Sequence, residues 1–166
     1  MVEDEDLLLA VLNSAPVVDG HPEDHLTGEG ARDRVRALGG RGTPAERDRL
    51  RLVRDALHPL IRGTSTDVGA LAAVLGAARL RPAVSPAGVT WTLEAAPDDD
   101  LAVRTVLAWS RVTAALPGRL RACANDECRL FLVDHSRPGT ARWCSMAVCG
   151  NRMKARAHAR RHRAQG

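Results

Sequence analysis

Four cysteines are the residues of this sequence best suited to do chemistry. They fall as Cys123, four residues, Cys128, fifteen residues, Cys144, four residues, Cys149. Two thiolates a few residues apart on a tight turn supply one edge of a tetrahedron, and a second pair supplies the opposite edge. Zinc asks for this arrangement, with sulfur at about 2.3 Å. Four intervening residues lie at the wide end of the usual spacing. The knuckle between the first pair contains turn-forming Asn125 and Asp126, and the second pair opens a helix. One structural Zn2+ on Cys123, Cys128, Cys144 and Cys149 is the expectation, against an iron–sulfur site, regulated disulfides or free thiols. With four protein ligands the ion has no open position and no metal-bound water.

Little else in the chain suggests catalysis. Asp134-His135-Ser136 holds the letters of a triad, but neighbours along a chain do not converge as one, and no oxyanion-type glycine motif accompanies them. There is no phosphate-cradling Gly-rich loop. His21, His25 and His58 are scattered. The expectation is that the protein is not an enzyme.

The residues after Cys144 carry a different chemistry. Taken as one continuous helix over 145–163, Met146, Met153 and Ala157 share a narrow sector able to pack on the rest of the protein. Arg152, Arg156, Arg160 and Arg163 line one side of it; Lys154, His158 and Arg161 line the other. Residues 150–166 contain no carboxylate. A helix with six like charges repels itself, so a polyanion that relieves the repulsion is its natural partner. Double-stranded DNA is the leading candidate, and a merely solvated face is the bland alternative. An anionic membrane would need a broader apolar face. RNA is a second alternative, disfavoured because single-strand readers stack bases on exposed aromatics and only Phe131 and Trp143 are on offer, both of them core candidates. Arg137 and Arg142 suit either phosphate contacts or neutralisation of the zinc–thiolate centre, whose formal charge is roughly −2. Asn151 suits either adenine in a major groove or, alternatively, a helix cap or a hydrogen bond to the ligands near Cys149. Trp143 is expected to shield the zinc, and Gly150 to permit close backbone approach.

Charge divides the 166 residues unevenly. Residues 1–118 hold 13 Arg against 17 Asp+Glu, a balance of −4, while residues 119–166 balance at +8, within a net +4 overall. Such asymmetry points to an acidic partner for one end. The start, Met1-Val2-Glu3-Asp4-Glu5-Asp6, is acidic where an export signal would be basic, and no apolar run is long enough to span a bilayer, so a cytoplasmic address is expected. Thiols stay reduced there, which favours metal over disulfides.

The elements that must position the cysteines are mostly helical. At 45% hydrophobic residues with four aromatics, the core must come from Leu, Val and Ala. Residues 5–14 read as a helix, 15–28 as loop, and Ala31, Val35 and Leu38 as a helical face stopped by Gly39-Gly40. Thr43-Pro44-Ala45-Glu46 is a capping box opening a helix that Gly63 ends, with Pro59 kinking its last turn. Residues 67–80 read as an amphipathic helix. From Pro82 the period becomes two, which predicts a β-hairpin over 82–95. Asp98 or Asp99 then caps a helix to about Leu116, apolar on most sides and therefore central. Pro117-Gly118 marks a domain boundary, and the short junction implies a packed module. Leu130–Val133 is a strand candidate inside it.

Phe131, Asp134, Ser136-Arg137, Arg142-Trp143-Cys144-Ser145-Met146, then Cys149-Gly150-Asn151-Arg152 and Lys154 together resemble the CGNR zinc-finger family, named for residues like 149–152 here. Upstream, the helical layout and Leu12-Asn13-Ser14 look like that family's partner domain, ABATE, described as a stress-induced transcription regulator. Ala10 stands where that motif usually has an aspartate; Ala141 and Pro138 replace a usual arginine and asparagine, so contacts from those two positions are absent. The resemblance implies a transcription regulator.

The reading is a mostly α protein: a helical domain over 1–118 with one β-hairpin, then a treble-clef-like zinc finger over 119–166 ending in a basic helix. The helical domain, with its own core, is expected to survive loss of the metal. One short finger offers little DNA interface, so a homodimer through residues 1–118 is expected, with a face left for a small-molecule or protein effector. A zinc–thiolate redox or stress switch acting through protein partners is the rival function.

Overall fold

The computed structural model describes residues 2–164, with side chains over residues 3–162. Five helices build the first part: α1 (Val2–Leu12), α2 (Ala31–Ala37), α3 (Pro44–Arg62), α4 (Gly69–Leu75) and α5 (Asp100–Ala115). α5 is central, as its composition requires. Leu101, Ala102, Val103, Thr105, Val106, Ala108 and Val112 are buried around it, against Leu8, Val11 and Leu12 of α1 and Leu50, Val53 and Leu57 of α3. The one polar group in that set, the Thr105 hydroxyl, donates to the Leu101 carbonyl at 2.8 Å, so this buried donor is satisfied.

The start of α3 departs from a simple capping box. Thr43 Oγ1 accepts from the Glu46 N–H at 3.1 Å, as expected. Glu46, however, bypasses Thr43 and accepts from the N–H groups of Arg41 (2.8 Å) and Gly42 (2.6 Å). Gly42, at φ 73°, folds the preceding loop over this buried carboxylate, and a Cβ there would lie 2.6 Å from the Arg32 carbonyl oxygen. Only glycine fits. Thr43 in turn donates to Asp98 at 2.8 Å. Asp98 is therefore taken, and Asp99, which holds the N-cap position of α5, pairs with Arg49 at 2.8 Å instead of capping. α3 runs through Pro59 to Arg62 and closes on left-handed Gly63, with the Thr64 N–H on the Pro59 carbonyl. Within this part Arg54 is buried; it donates to both oxygens of Asp24 (2.8 and 3.0 Å) and to Ser14. Burial would raise the Asp24 carboxyl, but Arg54 holds it at about 2.

Among the described residues three two-stranded antiparallel hairpins complete the fold, two of them in the helical part, where the sequence predicts one. Residues 15–28, expected as loop, contain β1 (Val17–Val18) and β2 (His21–Pro22) around Asp19-Gly20, both at positive φ. This Asp-Gly turn is a hairpin signal in its own right. The helix expected over 67–80 is shorter, because the chain leaves it after Leu75 and enters β3 (Arg79–Ser85), which pairs with β4 (Gly88–Glu94) from Arg79↔Glu94 to Ser85↔Gly88. β5 (Leu120–Ala122) and β6 (Phe131–Val133) form the third hairpin, and α6 (Asn151–Ala164) ends the described chain. No helix among the described residues is long and apolar enough to cross a membrane.

The last hairpin is built into the helical core. Phe131, 1% exposed, belongs to the same buried cluster as α1, α3 and α5, with Leu120, Ala122 and Val133 packed around it. His58 of α3 stacks against its ring at 4.5 Å and the Arg62 guanidinium lies 4.8 Å above it.

Candidate metal centre

The first cysteine pair sits on a turn between β5 and β6. The Cys123 N–H donates to the Leu130 carbonyl and the Cys128 N–H to the Asn125 carbonyl, each at 2.8 Å. The second pair opens the final helical segment in an irregular way. Ser145 Oγ accepts from the Val148 N–H as an N-cap, and residues Met146–Gly150 form a π-helical turn closed by the Gly150 N–H on the Ser145 carbonyl at 3.0 Å. This wider turn carries Cys149 inward. A knuckle, a β-hairpin and a ligand-bearing helix in this order make the arrangement of a treble-clef finger.

The four Sγ atoms lie within 4.8 Å of one another. Cys144 Sγ is 3.7 Å from both Cys128 Sγ and Cys149 Sγ. A tetrahedron with metal–sulfur bonds of about 2.3 Å has edges of about 3.8 Å, so the spacing fits one ion. A multi-iron cluster would hold its cysteines farther apart, and a disulfide needs sulfurs at about 2.05 Å. Burial pushes the Cys128 thiol up to about 11, and it pushes Cys144 higher still with help from Cys128 and Cys149. Burial also opposes ionisation of Cys149, but the Asn125 amide donating to its sulfur (3.5 Å) brings it below its usual value. A divalent cation is the group that lets all four ionise together.

N–H···S bonds steady the sulfurs: Asn125 to Cys149, the Cys144 backbone to Cys123 at 3.5 Å, and the Leu130 backbone to Cys128. Asn125 is buried, and the sequence reading saw it only as a turn former. Behind the site, buried Asp134 accepts from the Ser136 hydroxyl (2.6 Å), the Ser136 N–H (2.9 Å) and the Ala141 N–H (3.1 Å), with Arg119 and Arg121 at 3.6 Å. The Ser136 bonds hold its carboxyl below the usual range. His135 turns the other way, to Glu5 of α1 at 2.8 Å. Asp134, His135 and Ser136 therefore serve a turn and a junction and do not converge on a common point.

Gly150 is closely covered, since a Cβ would meet Trp143 Cδ1 at 3.2 Å and the Met146 thioether at 2.8 Å. Trp143 is half-buried, not core, and Arg142 stacks over its ring at 5.1 Å.

The π-turn changes the phase of the last helix. Met153 and Ala157 face the module, but Met146 is exposed, because extrapolating 3.6 residues per turn across a wider turn misplaces it. Of the residues expected to touch nucleic acid, Arg137, Arg142, Arg152, Lys154, Arg156, Arg160 and Arg161 are exposed; the side chain of Arg163 lies outside the described residues. They are not equally free. Arg156 pairs with Glu127 at 2.6 Å, which spends the middle of the expected stripe on an internal contact. Lys154, Arg160 and Arg161 make no ion pair among the described residues. Asn151 donates to the Ala147 carbonyl at 3.3 Å, a local bond across the π-turn. A groove of about 540 Å³ runs beside Cys128, Cys144 and Arg152, walled on the far side by Asp19-Gly20 of the first hairpin.

A family model described as CGNR zinc finger matches residues 119–162. That span contains all four cysteines and most of α6, and residues 1–118 lie outside it. No curated protein matches the chain.

Proposed function

We propose that residues 119–166 are a zinc finger held together by one structural Zn2+ on Cys123, Cys128, Cys144 and Cys149, and that α6 carries it onto duplex DNA in a transcription regulator. The observation that carries this reading is the helix itself: apart from Met153 and Ala157, its described side chains over 151–162 are solvent-exposed, and it contains no carboxylate. The likeness to CGNR fingers, a family associated with transcriptional regulation, points the same way. The zinc supplies folding energy and no reaction: its four ligands leave no position for substrate. Residues 1–118 form the domain on which the finger is mounted; an ABATE-like identity for it rests on the helical layout and on Leu12-Asn13-Ser14.

The test is binding of the zinc-loaded full chain to a fluorescent duplex across salt. On α6, Lys154, Arg160 and Arg161 are exposed and make no ion pair among the described residues, and Arg152 is exposed beside Glu127, so up to four phosphate contacts and a log–log slope of about −3 to −4 are expected. Binding that is insensitive to salt, or unchanged when Arg160 and Arg161 become Ala, removes the reading. Single-stranded RNA as competitor separates duplex from single-strand recognition. One observation favours a second reading: Cys128 and Cys144, the half-exposed pair of ligands, border the groove described above, where an oxidant has access. Zinc release by peroxide at rates faster than unfolding would support a redox switch.

A further inference from the structure

The β3–β4 hairpin has two unlike faces. Leu80, Pro82 and Val84 lie opposite Leu93, Trp91 and Val89 on one face; Arg79, Arg81 and Ala83 lie opposite Glu94, Thr92 and Thr90 on the other. Strict alternation of this kind belongs to a sheet with one covered face. Here only Leu93 packs against the core. Leu80 is 48% exposed, Val84 85%, Val89 56% and Trp91 62%. Continuous with that face is a cleft of about 530 Å³ between the hairpin and helices α1 and α5. Leu80 and Trp91 line its apolar part, Glu3 and Asp4 one wall, and Arg104 and Arg111 the other.

We propose that this face and cleft pair with a second copy of the chain about a two-fold axis, the tip of each hairpin (Val84 and Val89) seated in the other's cleft. Each chain carries one apolar tip and one apolar cleft, and a two-fold interface uses both at once. Within each chain Asp4 is bridged to Arg111 at 2.9 Å and Arg104 lies 3.8 Å from Asp100, so most of the wall charge is paired internally and does not repel an apolar tip. The area also suits a dimer. The four exposed side chains present on the order of 400 Å² of apolar surface, near the limit for a lone monomer. That is about half of the ~800 Å² per partner of a standard interface, the charged walls supplying the remainder. Pro82 removes a donor from β3 and blunts that edge against strand addition.

The inference is independent of DNA binding, and its test uses none. Sedimentation of the zinc-loaded full chain between about 1 and 100 µM is expected to give twice the 17.8 kDa chain mass. Val84→Asp, at the most exposed of these positions, is expected to weaken association at least tenfold while leaving circular dichroism and zinc content unchanged. A wild-type monomer at 100 µM overturns the proposal. So does a dimer that Val84→Asp leaves intact, or a monomer whose hairpin is instead occupied by a different protein.

Discussion

Asn13, one residue past the end of α1, pairs with the backbone of Phe131 as a neighbouring strand would. Its Oδ1 accepts from the Phe131 N–H at 2.7 Å and its Nδ2 donates to the Phe131 carbonyl at 3.2 Å. A primary amide is the side chain that offers one acceptor and one donor with the spacing of a peptide group. The contact spans 118 residues of sequence and ties the cysteine module to the helical part, with the Phe131 ring filling the core beneath it.

Asn13→Ala should therefore destabilise the whole chain. It strands two part-buried backbone groups, each costing about 1–3 kcal/mol, so a loss of about 2–6 kcal/mol is expected in urea unfolding. Amide exchange in β6 should accelerate with it. A change under about 0.5 kcal/mol would mean that water replaces the amide at no cost.

His58 lies at the same junction, its Nε2 on the Leu12 carbonyl at 2.9 Å and its ring against Phe131. Burial, helped by Arg62 and Arg54, pushes its pKa below the usual 6.5. The folded form thus binds a proton less readily than the unfolded chain. Stability is full above about pH 6.5 and declines as pH falls from there toward the folded-state pKa. The urea midpoint should drop between pH 7.5 and 5.5, and His58→Gln should flatten that part of the profile.

Metal analysis of the protein purified under reducing conditions should give one zinc per chain, and Cys144→Ser should abolish it. A structural zinc contributes on the order of 10 kcal/mol or more to folding. Because Phe131 sits between the two ligand pairs and inside the helical core, the helical part is not expected to stand aside: its melting temperature should fall when zinc is chelated. An unchanged helical transition would show that β6 holds its place without the metal.

Under the proposed DNA binding, Glu127 is the carboxylate that would compete with phosphate for Arg156. Glu127→Gln removes the 2.6 Å ion pair and one negative charge beside α6. Affinity for random duplex should rise severalfold, and the salt slope should steepen by about 0.9, the value of one added phosphate contact. Arg156→Ala should cost less than Arg160→Ala, a ranking that anisotropy titrations read directly.

Much of this architecture is written in patterns that span a few residues. The two cysteine pairs, the Thr43-Pro44 helix start, the all-round apolar α5 and the alternation of 89–93 each depend on neighbours within a turn or a strand, and each appears where expected. Asp19-Gly20 carried an equally local signal for β1–β2 that the loop-like composition around it obscured. What the sequence could not determine is which surfaces meet. Glu46 was positioned to cap Thr43, yet it serves Arg41 and Gly42 because the preceding loop folds over it. Arg156 lay in an unbroken basic stripe until the knuckle brought Glu127, 29 residues away, against it. The π-turn broke the expected register between Met146 and the positions after Cys149. Local periodicity specifies which face of an element is apolar, whereas the partner of a charge or an amide depends on how separate elements pack, and only the tertiary structure decides that.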